Sequence, residues 1–158
     1  MSLAIGPAGP DDLDALVALR PAVHDQHVAA HPEFFKAVTP AAARAEAAAW
    51  LAQDHAHVLL AEVDAEAVGY VYTYVASRPE SGSVHARRAL IVEQIAVRES
   101  ARGCGTGAAL LGAVRDLARR LDIHVIDLEV WHFNGKARRF FLAHGFTPLR
   151  ERLTHMLR

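Results

Sequence analysis

The hydrophobic pattern changes period several times along the 158 residues. Leu3 to Ile5 reads as a short first strand. In "GPDDLDALVALRPAVHDQHVAA" the apolar positions Leu13, Leu16, Val17 and Leu19 form a helical face. Asp11 and Asp12 fall in its first turn, where negative charge suits the helix dipole, and Pro21 predicts a break or kink. "TPAAARAEAAAWLAQDH" predicts a cleaner helix, with Thr39 as N-cap, Pro40 at the first helical position and an alanine interior. The period then drops to two. "HVLLAEVD" and "AVGYVYTYVAS" predict a hairpin that turns around Asp64 to Glu66. After the polar loop "RPESGSVHARR", the β-branched run Ala89 to Val97 predicts a buried strand.

Helical spacing returns with Leu110, Leu111, Val114, Leu117, Ala118 and Leu121. "IHVIDLEVW" predicts another strand, "NGKARRFFLAH" a short helix capped by Gly145, and "LRERLTHML" a final strand. The order is a strand and two helices, a meander, then strand–helix–strand–helix–strand. It predicts one α/β domain over 1–158, a mixed (α+β) central sheet flanked by about four helices.

Composition narrows the function. A hydrophobic content of 52% with 22% charged residues is that of an ordinary folded chain. No apolar run approaches the ~20 residues that span a bilayer, and the first residues lack the pattern of a secretory leader. Cys104 is the only cysteine, so no intrachain disulfide forms, and a reducing, cytoplasmic setting is expected. A formal net charge of −1 argues against general binding to nucleic acid or to a membrane surface.

The chemistry concentrates in "ESARGCGTGAALL", Glu99 to Leu111, where three alternate glycines lead from a strand into a helix. Bare backbone at a helix start offers free N–H groups and a favourable dipole to an anion, which points to a phosphate-bearing ligand. A Walker loop requires Lys and then Ser or Thr after the last glycine, but Ala108 and Ala109 follow Gly107. Gly103, Gly105 and Ala108 satisfy a dinucleotide fingerprint, with Asp122 and Asp127 downstream; Arg98 to Arg102, however, separate the strand end from the first glycine.

"RGCGTG", Arg102 to Gly107, matches the Q/R-x-x-G-x-G/A pattern of the GNAT superfamily of N-acetyltransferases. "VWHFNGKARRFFLAHGF" resembles that family's second segment, with Asn134, Ala137, Gly145 and Phe146 in register, and "VDAEAVGYV" resembles its hairpin, with Gly69 at the usual glycine. The likeness runs in order from Leu3 to the C-terminus. It implies the GNAT-like acyl-CoA N-acyltransferase fold, acetyl-CoA as cosubstrate, and acetyl transfer to a primary amine by direct attack in a ternary complex. It implies that the backbone of Ile95, Ala96 and Val97 pairs with the pantetheine arm beside a bulge that splays this strand from the next. The amides from Gly103 through Cys104, Gly105, Thr106 and Gly107 to Ala108, with Arg98 and Arg102 alongside, would hold the pyrophosphate. Asn134 would bond the arm near the thioester. The acceptor, a small-molecule or peptide amine, would meet roughly Val23 to Thr39 and Arg78 to Arg88. A homodimer is common among similar proteins, and no metal is expected.

The chain departs from the pattern at Phe141, where many members carry a proton-donating tyrosine, and at Glu99 and Ala101 in the loop. That departure supports the alternative of a catalytically weak CoA-binding sensor or interaction module. For the base, strand alternation places Ile91, Glu93, Ile95 and Val97 on one face, and only Glu93 among them titrates. Partial burial would raise its pKa towards usefulness. Glu93 serves either as that base or as an anchor for the substrate ammonium. His24, His27 and His31 share a helical face and read as a polar wall of the acceptor cleft. Tyr70, Tyr72 and Tyr74 project together from one strand, as packing or as pocket lining. Trp50 and Trp131 read as core or edge packing.

Overall fold

The computed structural model describes residues 2–157. Its strands are β1 (Leu3–Pro7), β2 (Ala56–Val63), β3 (Glu66–Arg78), β4 (Arg87–Val97) and β5 (Ile126–Leu128). Its α-helices are α1 (Leu13–Leu19), α2 (Pro21–Ala30), α3 (Pro40–Leu51), α4 (Thr106–Arg120) and α5 (Gly135–Ala143). The five strands lie in sequence order, antiparallel from β1 to β4 and parallel between β4 and β5. The first helical stretch divides at Arg20, because Pro21 opens a new helix; this brings the α-helices among the described residues to five. Thr39 caps α3 through its hydroxyl, which accepts from the Ala42 N–H at 3.2 Å.

The hairpin turns at Asp64 and Ala65, both with positive φ (51° and 66°), the sign a tight two-residue connection needs. Gly69 lies where β3 passes closest to β4. A Cβ there would stand 2.7 Å from the Ala96 carbonyl oxygen, so only glycine allows this approach.

Two cores flank the sheet. On one face Leu59, Val71, Leu90 and Val92 pack against Leu110, Val114 and Leu117 of α4. On the other, Val58, Tyr70, Tyr72 and Ala96 pack against Leu16 and Leu19 of α1 and Ala47 and Trp50 of α3. Burying each of the larger side chains contributes about 1.5–3 kcal/mol.

Two expectations need correction. The strand expected from "IHVIDLEVW" is paired only over Ile126–Leu128, because β4 supplies just Leu90, Ile91 and Val92 as partners. The expected final strand over "LRERLTHML" is not formed among the described residues. Leu149, Leu153 and Leu157 would share one face of that strand, yet are 79%, 85% and 86% exposed. A two-residue period builds a strand only when a neighbouring edge accepts its hydrogen bonds.

Candidate active site

The site begins where β4 leaves β5. Pairing between them ends at Val92–Leu128, while β4 runs on to Val97, paired among the described residues with β3 on its other edge only. The cause is a bulge. Tyr72 faces Gln94 and Thr73 faces Val92, so Glu93 is the extra residue between them. The bulge also breaks the alternation expected along the strand. Ile95 and Val97 turn to the α4 core, whereas Glu93 lines a cavity on the α3 side together with Gln94. Glu93 is exposed, not partly buried, because the bulge lifts it out of the ladder.

The open edge leads to the glycine turn. Gly103 and Gly105 have φ of 75° and 86°, a region that glycine occupies without a Cβ penalty. The first backbone bond of α4 runs from the Ala109 N–H to the Gly105 carbonyl at 2.9 Å. Among the described residues, no backbone or side-chain acceptor takes the N–H of Gly103, Cys104, Gly105, Thr106, Gly107 or Ala108. These amides and the positive end of a 15-residue helix fit a diphosphate. The Thr106 hydroxyl donates to the Ala101 carbonyl at 3.3 Å and ties the turn down. Gly107 gives the Phe140 ring of α5 room to pack, since a Cβ would stand 3.1 Å from it.

The arginines near the turn already have partners. Arg98 pairs with Glu66. Arg102 donates to the carbonyls of Val97 (3.0 Å) and Ala22 (3.1 Å), and so fastens the turn to α2. A cavity of about 270 Å³ between these elements is lined by Leu19, Pro21, Ala22, Arg98 and Arg102. Asn134 opens α5, its Oδ1 accepting from the Ala137 N–H at 3.0 Å. Phe141 is buried between Phe140 and Phe146. Lys136, Arg138 and Arg139 form an exposed basic face.

On the α3 side lies a larger cavity, of about 430 Å³, with Trp50, Tyr72, Tyr74, Glu46 and Glu93 in its walls. Trp50 stacks on Tyr72 with centroids 4.6 Å apart and planes 11° from parallel. Tyr72 and Tyr74 are 6.3 Å apart. Burial, then the negative charge of Glu93, pushes both phenols above their ordinary range; Tyr74 also feels Glu129. Both hydroxyls therefore remain protonated donors. The tyrosines are at once packing and lining: Tyr70 is fully buried and donates to Gln94 Oε1 at 2.8 Å, while Tyr74 borders the cavity.

His24 and His27 of α2 and His31 at its C-terminal end form a different wall. His24 Nε2 lies 2.8 Å from the Lys36 carbonyl, His27 Nδ1 2.8 Å from the Val23 carbonyl, and His31 Nδ1 2.8 Å from Glu33 Oε1. The His27 and His31 rings pack against Trp131 and Phe133, and His27 also against Phe35. This cluster joins the end of α2 to the segment before α5. Sequence reasoning passed over Gln94, Glu46 and Phe133. Gln94 reaches the cavity wall only through the bulge, which no single-strand pattern records, and Glu46 stands one turn before Trp50 on α3.

Comparison with known proteins agrees with this geometry. The family model described as the acetyltransferase (GNAT) family matches residues 21–146. The chain belongs to this family. An uncharacterized N-acetyltransferase of Bacillus subtilis (strain 168), YhfO, is 32% identical over 89 residues; the match covers 56% of this chain and 57% of that protein's length. The crystal structure of a tetramutant of the BH1408 protein from Bacillus halodurans superposes with a TM-score of 0.92 at 22% identity, over 98% of this chain and 99% of that one. The aminoglycoside N-acetyltransferase AAC(6')-Iy in complex with CoA superposes at 0.80 with 18% identity, over 99% and 95%. These likenesses establish the GNAT fold.

Proposed function

We propose that this protein transfers the acetyl group of acetyl-CoA to a primary amine by direct attack. The observation that carries the reading is the unpaired edge of β4 beyond Val92, which runs straight to the free amides at the start of α4. An extended pantetheine arm would add to that edge along Ile95, Ala96 and Val97, in the manner of an extra strand. The amides from Gly103 to Ala108 would take the diphosphate. Asn134 would contact the arm from the α5 side. The CoA complex formed by AAC(6')-Iy, a protein of the same fold, supports the choice of ligand.

Chemistry then needs a free amine. Deprotonating an alkylammonium of pKa ~10.4 at pH 7 costs about 4–5 kcal/mol. Glu93, exposed at the bulge beside the cavity, accepts that proton directly or through water. The neutral amine attacks the thioester carbonyl, the nitrogen of the tetrahedral intermediate gives up its second proton to water as the C–S bond breaks, and CoA leaves as a thiolate. With a pKa near ~8.5, the thiolate takes its proton from solvent. No side-chain acid is needed at Phe141.

Thiol release measured over a panel of amines tests this reading. Glu93→Gln should lower kcat by about 10²–10⁴-fold while calorimetric CoA affinity stays at the wild-type value. Near-normal turnover in the variant removes Glu93 as the base and leaves it an ammonium anchor. CoA binding with no thiol released on any amine would favour a binding module.

A further inference from the structure

The cavity beside Glu93 is built for more than one charge. Trp50 and Tyr72, stacked on one another and more than nine-tenths buried, border the cavity with the less buried Tyr74, and Glu93 on β4 and Glu46 on α3 contribute carboxylates from different elements. Among the described residues, no Lys, Arg or His lines the cavity. Arg20 lies buried over the Trp50 ring and pairs with Glu46 Oε2. That pairing takes up part of the Glu46 charge and leaves its side chain 47% exposed. Aromatic surface covers aliphatic chains, and carboxylates set beside it favour a cationic ligand.

We propose that the acceptor is an aliphatic amine carrying a second cation, its reacting nitrogen beside Glu93, its chain lying on the Trp50–Tyr72–Tyr74 wall, and its second ammonium at Glu46. This rests on the transferase reading for which nitrogen reacts, but the binding claim stands without it. A monoamine of the same length would fill the wall and leave Glu46 unused. Glu46 is therefore a specificity residue and takes no part in bond making.

The test compares matched pairs, 1,4-diaminobutane with butylamine and 1,6-diaminohexane with hexylamine. Affinity is read from Trp50 fluorescence in a Trp131→Phe background, with CoA present and absent, and turnover from thiol release. The diamine should bind at least tenfold more tightly than its monoamine and show a kcat/KM at least tenfold higher. Glu46→Gln should bring that ratio below about threefold. Gln53→Glu, which adds a carboxylate to the same wall without disturbing Arg20, should raise it. Equal affinities in the parent protein overturn the proposal, as does a ratio that survives Glu46→Gln and ignores Gln53→Glu. Diamine-selective binding without thiol release would sink the transferase reading and leave this one standing; turnover without diamine preference does the reverse.

Discussion

On one face of the central strands Val71, Leu90 and Val92 meet Leu110 and Val114 of α4; on the other, Tyr70, Tyr72 and Ala96 meet Leu16, Ala47 and Trp50. The first face is aliphatic and closely filled. The second sets large rings against an alanine-rich helix and holds a buried arginine, a tyrosine–glutamine hydrogen bond and an open cavity. Small residues on α3 let rings from the sheet stand upright between the layers, and flat rings against alanine do not close every gap. Close-packed aliphatics are sensitive to the loss of a few atoms, whereas a face that already borders open space is not. Truncation should therefore cost more on the first face, while the second accommodates the polar groups and the space that a site requires.

The most severe test truncates each face. Leu110 is fully buried, so Leu110→Ala should destabilise by about 2–5 kcal/mol in urea unfolding. Tyr74→Ala removes more atoms but borders the cavity, and should cost less stability while weakening amine binding. Equal or reversed stability losses would erase the distinction between the faces.

A smaller effect comes from Tyr70→Phe. Losing its hydrogen bond to Gln94 should cost about 1 kcal/mol at pH 7. Burial holds the Tyr70 phenol well above its usual pKa. The unfolded chain thus releases this proton near pH ~10 while the folded chain keeps it. The phenol's contribution is complete below pH ~10 and declines as pH rises further, because the folded state then binds more protons than the unfolded one. The stability gap between wild type and Tyr70→Phe should therefore close in alkaline solution. A gap that stays constant to pH ~11 would show that the phenol is not sealed from solvent.

The two faces were not equally legible in the sequence. Leu110, Val114 and Leu117 repeat at helical spacing, and the helix they predict is the one that forms. The glycine turn and the hairpin announce themselves through residues whose backbone freedom is local. The aromatic face was only half readable. Alternation placed Tyr70, Tyr72 and Tyr74 together, but the bulge at Glu93 is a register event between two strands, and no single-strand pattern records it. It moved Ile95 and Val97 to the other face and brought Gln94 beside Glu93. The tail from Leu149 failed for a related reason, since its strand-like period says nothing of whether an edge is there to pair with.

The finest distinction concerns Arg20. It is 6% exposed, sits 5.1 Å from the Trp50 ring and pairs with Glu46, yet its Nε and Nη1 protons meet no acceptor among the described residues. Burying a guanidinium costs several kcal/mol, and one carboxylate that is itself 47% exposed returns only part of that. Arg20→Met keeps the packing stem against Trp50 and removes the charge. Its Glu46 partner is exposed enough to regain water, so the uncompensated-charge penalty that follows from breaking a fully buried pair does not arise. Stability should stay within about 1 kcal/mol of wild type, read as the urea midpoint at constant m-value. Diamine preference should rise, since Glu46 would then present its whole charge to the cavity. A stability loss above about 3 kcal/mol would place Arg20 among the residues that hold the fold, and the second face would then be structural as well as chemical.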